Sequence, residues 1–364
     1  MNTLDQVSTE QYTLIHGDCC EAVKALPDSS IDLTVHSPPF ANLYIYSDSE
    51  ADMGNCATDE EFFDHYKFLI PELYRVTVTG RNCVVHCKDL PRYANRDGTA
   101  GLIDFPGRII HAFEEHGWSY HSRVTIWKCP VVERERTNNN GLLHKTILRD
   151  RSQVRQGMAD YLLVFRKAPV GTLMSEKPVE NGTEGLDRYD GQMDPRGTSF
   201  HPSPFARVSR PENESIALWQ RYAEPVWWDA SHASPDDYAA MQTLLAAGWH
   251  PERVRSLFGL SETDAVWFDV NQTNVLNQEA GRESADEKHI CPLQLDLIAR
   301  CVSLWSQPGD VVLDPFSGLG STGHEAVKLG RKYVGFELKE SYWKASQRFL
   351  NAAVQSTRQR SLFS

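Results

Sequence analysis

The stretch Val311-Val-Leu-Asp314-Pro-Phe-Ser-Gly318-Leu-Gly320-Ser-Thr322 constrains the fold of this chain more than any other. A short apolar run ends in an acid, a turn with two glycines follows, and helix-forming sequence begins at once. That succession reads as strand, tight crossover and helix amino end, the place where a parallel α/β sheet opens a ligand crevice at its carboxyl edge. The glycines let the backbone approach a bulky ligand, and the helix end offers free N–H groups. Tyr333 to Phe336 reads as the next strand, with Glu337 at its end, seventeen residues beyond Gly320. An acid at that place commonly holds ribose hydroxyls. The bland alternative is a Gly-rich turn with a surface glutamate, and a nicotinamide dehydrogenase is the natural competitor among ligand-binding folds.

A second strand–helix alternation occupies the other end of the chain. Tyr12 to Ile15 reads as a strand, Ala22 to Leu26 as a helical turn closed by Pro27, and Ile31 to Val35 as a strand ending in Ser37-Pro38-Pro39-Phe40. A helical pattern then places Phe62, Tyr66, Leu69, Ile70 and Leu73 on one face, with Pro71 predicting a kink or break. Strands are expected at Cys83–His86, Tyr120–Trp127 and Tyr161–Phe165, helices over 103–117 and 292–305, and a last helix ending near Val354. Strands and helices at both ends around an irregular, Trp-containing middle suggest one α/β sheet assembled from both ends of the chain. In Ser37-Pro-Pro-Phe, two prolines lock the backbone and remove two N–H donors. The Ser37 hydroxyl and Pro38 carbonyl then form a rigid acceptor pair beside an aromatic ring, suited to an exocyclic amino group; a Pro-Pro turn capping a strand is the plainer reading.

Taken together, the two motifs are similar to those of the DNA amino-methyltransferases, in the permuted (beta) class where the catalytic motif precedes the cofactor motif. His16-Gly-Asp18-Cys-Cys-Glu21 with Leu26-Pro27-Asp28 resembles the G-D-x-x-E…L-P-D stretch of that family, and Lys288-His289-Ile-Cys-Pro292 resembles its K-H-P-x-P segment. The resemblance covers about residues 12–166 and 286–352, and the overall run looks like phage and prophage members. It implies a Rossmann-like S-adenosylmethionine-dependent methyltransferase sheet with an inserted target-recognition region. Its divisions would be a catalytic half over 1–168 with a basic insertion at 128–159, a target-recognition region over 169–285, a cofactor-binding half over 286–354 and a flexible tail over 355–364.

The same resemblance implies the site. Ser37, Pro38, Pro39 and Phe40 would be catalytic. Asp18, Asp314, Phe316, Gly318, Gly320, Ser321, Thr322, Glu337, Lys288 and His289 would bind S-adenosyl-L-methionine, Asp18 meeting its adenine. The Ser37 hydroxyl and Pro38 carbonyl would grip the amino group of a flipped base, with Phe40 stacked on its ring. Serine rather than aspartate at the first motif position leans towards cytosine N4 over adenine N6, while His36 stands where cytosine-N4 enzymes usually carry Thr. A methyltransferase acting on RNA or a small molecule, or a cofactor- and DNA-binding protein without turnover, is the alternative.

The formal charge of −12, taken as a bulk number, argues against a polyanionic partner, because such binding rests on Lys and Arg at phosphates. Resolved along the chain it reads differently: residues 121–170 carry +6 and the remainder −18. Arg134, Arg136, Asn138, His144, Lys145, Arg149, Arg151 and Arg155 in that insertion are the expected contacts to double-stranded DNA, a solvated charged loop being the plain alternative. Cys83, His86 and Cys87 lie close in sequence, but a strand sends His86 and Cys87 to opposite faces, so no metal site is expected. Eight dispersed cysteines, no apolar run near the ~20 residues of a membrane span, and no basic-apolar leader suggest a cytoplasmic protein. Gln359-Arg-Ser-Leu-Phe363 resembles the Q-L-S/D-L-F peptide by which replication and repair proteins dock on the bacterial sliding clamp, Arg360 departing from it. The family resemblance also allows a homodimer.

Overall fold

The computed structural model describes residues 3–39, 49, 52–128, 144–153, 155, 157–172, 175–177, 243–244, 247, 266–267, 270, 273–276 and 293–363. The chain divides into two compact units. One comprises Met1–Arg123, Tyr161–Gly182 and Asn271–Ser364, and the other Val124–Asp160 with Thr183–Val270. The basic insertion and most of the irregular middle thus belong to one unit.

Within the first unit the strands are β1 (Thr3–Ser8), β2 (Tyr12–Gly17), β3 (Ile31–His36), β4 (Thr77–Lys88) and the short pair β5 (Leu90–Arg92) and β6 (Gly101–Ile103). Strand β7 (Ser119–Ile126) leads out of this unit, and its residues Thr125 and Ile126 pair in parallel with β9 (Val266–Trp267) in the second. Strands β8 (Asp160–Arg166), β10 (Val311–Asp314) and β11 (Lys332–Glu337) complete the set. The main helices are α1 (Asp59–Val76), α2 (Phe105–Glu114), α3 (Leu295–Trp305), α4 (Ser321–Lys328) and α5 (Glu340–Phe363).

The sheet runs β1-β2-β11-β10-β3-β4-β8. Strands β2, β11, β10, β3 and β4 are mutually parallel, and β1 is antiparallel to β2. The order explains where a ligand can sit. From β3 the chain crosses through α1 to β4 on one side, whereas from β10 it crosses through α4 to β11 on the other. Neighbouring strands whose connections part in opposite directions leave a crevice between their carboxyl ends, the switch point of a doubly wound sheet. The adjacent strands β3 and β10, from opposite ends of the sequence, form that point, with Leu33 beside Val312.

Alternation along the strands feeds two cores. Ile15, Ile31, Val85 and Phe165 join the α1 and α2 side chains Phe62, Tyr66, Leu73, Ile109 and Phe113 on one face, where the rings of Phe113 and Phe165 stack at 4.1 Å. Tyr12, Leu14 and Tyr333 meet Val327 of α4 and Trp343 and Leu350 of α5 on the other. Each fully buried large side chain contributes about 1.5–3 kcal/mol.

Helix α1 begins where Thr58 Oγ1 accepts from the Glu61 N–H (3.2 Å) and the Glu61 carboxylate reaches back to the Ala57 N–H (2.6 Å), a reciprocal cap. Asp59, Glu60 and Glu61 in its first turn and Arg75 in its last complement the helix dipole. Pro71 does not end the helix, contrary to the break its presence predicts: it lies on the exposed face, where water can meet the carbonyl freed by its missing N–H. The last helix likewise extends to Phe363 rather than stopping near Val354, since neither Gly nor Pro interrupts residues 340–363.

At the amino ends of β3 and β10, opposite the crevice, the sheet carries a buried charge cluster. Arg81, 2% exposed, donates from Nη2 to Asp310 Oδ2 at 2.8 Å. Lys177 Nζ lies 2.8 Å from Asp32 and 2.7 Å from Asp310. Asp32 also accepts the Val311 N–H at 2.9 Å, so the cluster clamps the two halves of the sequence together below the site.

Candidate cofactor cavity and catalytic edge

A cavity of about 170 Å³ opens at the carboxyl ends of β2, β3, β10 and β11. Each strand delivers its last residues to it: Gly17, Asp18 and Cys19 after β2; Ser37, Pro38 and Pro39 after β3; Asp314, Pro315 and Phe316 from β10; Glu337, Leu338 and Lys339 from β11. Gly318, Ser321 and Thr322 from the turn into α4 join them. Residues separated by some 300 positions therefore share one wall because β3 and β10 are neighbours.

The carboxylates are held by backbone amides. Glu337 accepts from the Gly318 N–H at 2.7 Å and the Lys339 N–H at 2.8 Å. It keeps some exposure to the cavity, but protein encloses the carboxyl on every other side, and burial pushes its pKa up to about 7 against the pull of those two amides. Asp314 accepts from the Phe316 N–H at 2.9 Å. Burial raises it to about 6, with the Thr322 hydroxyl and the Phe316 amide opposing. Asp18 caps the helical turn Cys19–Ala22 by accepting from the Cys20 N–H at 2.9 Å. Asp18, Cys19 and Cys20 bring their ligand atoms within 4.8 Å of one another, three donors where a closed structural zinc site takes four.

The Gly-rich turn owes its shape to backbone freedom. Gly318 and Gly320 have φ of +53° and +83°, the left-handed region that glycine enters without cost. Gly320 does not line the cavity; it caps α4, where a Cβ would sit 3.0 Å from that of Ser346. Gly323 serves packing: a Cβ there would run into the Tyr333 ring and Leu350. These three glycines stand at G-x-G-x-x-G spacing, so the turn alone does not separate this chain from nicotinamide enzymes. The neighbouring β3 edge does.

On that edge the Ser37 hydroxyl lies 3.3 Å from His86 Nδ1 and donates to the His86 carbonyl at 3.2 Å. His36 beneath it is fully buried, its Nε2 2.8 Å from the Tyr66 hydroxyl and its ring 5.7 Å from Phe316. Burial lowers its pKa to about 3, so it is neutral at any working pH.

Sequence reasoning missed Asp52, Met53, Leu293 and Tyr342, which also line the cavity. Tyr342 and Lys339 follow Glu337 by chain continuity, and Lys339 Nζ stands 4.6 Å over the Tyr342 ring. Asp52 carries no sequence signal, sitting among other polar and acidic residues such as Ser47, Asp48, Ser49 and Glu50. Phe40, Lys288, His289, Arg134, Arg136 and Asn138 lie outside the described residues. So do the side chains of His144, Arg151 and Gln359 to Phe363, whose backbones are helical. Lys145 and Arg149 are exposed on the helix His144–Arg149, and Arg155 is half-buried; all three belong to the second unit. No helix among the described residues is long and apolar enough to cross a membrane.

A doubly wound sheet with a Gly-rich turn, two amide-held carboxylates and a Ser-Pro-Pro edge at its switch point defines a nucleotide-cofactor transferase architecture. The DNA methylase family model matches residues 31–348, and the chain belongs to that family. Over 57 residues it is 44% identical to the DNA adenine methyltransferase YhdJ of Escherichia coli (strain K12), a match covering 16% of this chain and 19% of that protein. Over 116 residues it is 41% identical to the type II methyltransferase M1.MboII of Moraxella bovis, covering 31% and 42% respectively. The matched part thus spans less than half the length of either relative. TTHA0409 of Thermus thermophilus, solved in complex with S-adenosyl-L-methionine, shares the fold with a TM-score of 0.53 at 18% identity over 94% of this chain and 96% of that one.

Proposed function

We propose that this chain transfers a methyl group from S-adenosyl-L-methionine to the exocyclic amino group of a flipped base in duplex DNA. The observation that carries the reading is that Ser37 and Pro38 line the same cavity as Asp314, Gly318 and Glu337. The residues fit the cofactor: Glu337 and Asp314 are carboxylates whose ionisation burial opposes, and hydroxyl and ammonium donors would relieve them. Glu337 would hold the ribose hydroxyls, Asp18 the adenine, and Asp314 with Ser321 and Thr322 at the α4 amino end the methionine portion. Lys288 and His289 would line that portion as well. When bound, S-adenosylmethionine supplies an electrophilic methyl on a cationic sulfur.

The chain's own residues prepare the acceptor. An aryl amine is a weak nucleophile because its lone pair is delocalised into the ring. The Ser37 hydroxyl oxygen and the Pro38 carbonyl accept hydrogen bonds from its two N–H groups, favour a pyramidal nitrogen and meet the positive charge growing there. Once the methyl is on nitrogen, one N–H proton passes to water, leaving a neutral methylamino group and a neutral thioether. Phe40 stacks on the base. Holding both partners at one sheet edge removes most of the entropic barrier. A neutral serine supports cytosine N4, whereas the name of the Escherichia coli relative supports adenine N6; nucleoside mass spectrometry of the methylated product reads the base directly.

Arg134, Arg136, Asn138, His144, Lys145, Arg149, Arg151 and Arg155 would contact the duplex, with residues 169–285 reading the target. The segment Gln359–Phe363 would dock on a sliding clamp, a reading that unchanged clamp pull-down after removal of 359–364 would sink. A homodimer and a cytoplasmic location complete the proposal. Tritiated methyl transfer to duplex DNA, RNA and small amines tests the substrate class. Incorporation into DNA is expected; transfer to RNA or to small amines alone, or to none of them, would overturn it.

A further inference from the structure

We propose that His86 is a positioning residue for this transfer, fixing the Ser37 hydroxyl as an acceptor that faces the cavity. The inference rests on the function proposed above. Ser37 follows β3, and His86 lies on the parallel neighbour β4, whose register sets His36 beside Val85. One step further along, Ser37 Oγ meets both the Nδ1 and the carbonyl oxygen of His86, at 3.3 and 3.2 Å. A serine hydroxyl has one proton and two lone pairs. The carbonyl can only accept, so the bond to it commits the Ser37 proton to β4.

With Nδ1 protonated, the ring donates to the serine oxygen and uses one lone pair. With Nδ1 bare, the ring shares the serine proton with the carbonyl. Either tautomer leaves Ser37 a lone pair, and Ser37 lines the cavity. The carbonyl bond alone leaves Ser37 able to turn about its Cα–Cβ bond, and the ring contact is the second point that holds Oγ in this rotamer. A free hydroxyl rotor would lack this polarity. Turned the other way it presents a proton to an amine N–H, a donor facing a donor, and the amino group loses half of its grip. The bracing is itself anchored. His86 is 8% exposed, and the next residue, Cys87, is buried in the core on the opposite face of the strand. The strand that carries the ring is thus fixed, and the atoms that bury the ring restrict its rotation.

The test compares wild-type protein with His86→Leu and His86→Asn in steady-state methylation of duplex DNA, with cofactor affinity measured alongside. His86→Leu should lower kcat about tenfold to a hundredfold, the scale of a lost orientation, with cofactor Kd and the KM for DNA within about twofold. His86→Asn keeps a polar atom near the Nδ1 position and should restore most of the rate. On a Ser37→Ala background, measured as slow single-turnover transfer, His86→Leu should cost nothing further, because the two act as one unit. Should the leucine variant melt below assay temperature, asparagine and glutamine decide instead. Glutamine sets its polar atom one bond further out and should lose the rate that asparagine keeps. An unchanged kcat in His86→Leu, equal rates for asparagine and glutamine, or an undiminished loss on the Ser37→Ala background would overturn the positioning role. Absence of transfer by wild type would overturn the proposed function instead.

Discussion

If Glu337 holds the ribose as proposed, cofactor binding becomes a proton-linked event whose size follows from the surroundings of that carboxyl. Burial holds its pKa at about 7 against an ordinary 4.5. A carboxylic acid whose pKa is raised in the folded state costs stability when it ionises, so the cofactor-free protein should lose stability as pH rises from about 4.5 to about 7. Such a rise in pKa corresponds to a cost on the order of 3 kcal/mol. Ribose hydroxyls donating to Glu337 would favour the ionised form. If they restore the ordinary value, binding releases one proton across that window and Kd falls about tenfold per pH unit, roughly 300-fold in all, levelling above about 7. Asp314, at about 6, adds a shallower contribution below that value. Titration calorimetry between pH 5.5 and 7, in two buffers of different ionisation enthalpy, measures both Kd and protons released. Glu337→Gln should bind more weakly, because its amide nitrogen faces the Gly318 or Lys339 N–H, and should lose most of the pH dependence. A variant with the wild-type slope, or an affinity that falls as pH rises, would refute the reasoning.

The other expectations concern stability and DNA. Arg81→Met removes one side of the buried cluster and should cost about 3–5 kcal/mol in urea unfolding; a loss under about 1 kcal/mol would show that Lys177 alone satisfies Asp32 and Asp310. Gly323→Ala drives a methyl into Tyr333 and Leu350 and should cost about 1–3 kcal/mol, read as a lowered Tm with the cavity residues unchanged. Replacing Arg149, Arg151 and Arg155 together by Ala should weaken duplex binding and reduce its log–log salt slope by about 2–3, near 0.9 per lost phosphate contact; an unchanged slope removes these residues from the interface.

Which parts of this molecule the sequence disclosed follows from the range of the forces involved. Strands β2, β3, β10 and β11 were readable because each is a short apolar run ended by a local turn signal, and chemistry gathers at such ends. The pairing of β3 with β10 was readable only as an inference from motif order, since nothing within either segment states its neighbour. Nothing in the sequence sets Asp32, Arg81 and Asp310 apart from other charged residues; their cluster exists only once β3, β4 and β10 lie side by side. Strand alternation places His86 on the face opposite Cys87, but its partner Ser37 lies 49 positions away, beyond the reach of any local pattern. Pro71 misled because a helix rule written for interior positions ignores which face meets water. The net charge misled most, being a sum over two regions of opposite sign.

The central claim is that the two ends of the sequence build one methyl-transfer site, β3 supplying the acceptor's grip and β10 and β11 the cofactor's. Measuring cofactor Kd and methyl transfer to duplex DNA for Ser37→Ala and Glu337→Gln in parallel tests it most directly. The account predicts that Ser37→Ala keeps wild-type cofactor affinity while transfer falls at least a hundredfold, and that Glu337→Gln weakens cofactor binding. Full transfer by Ser37→Ala, or cofactor affinity lost with Ser37 and kept without Glu337, would contradict it.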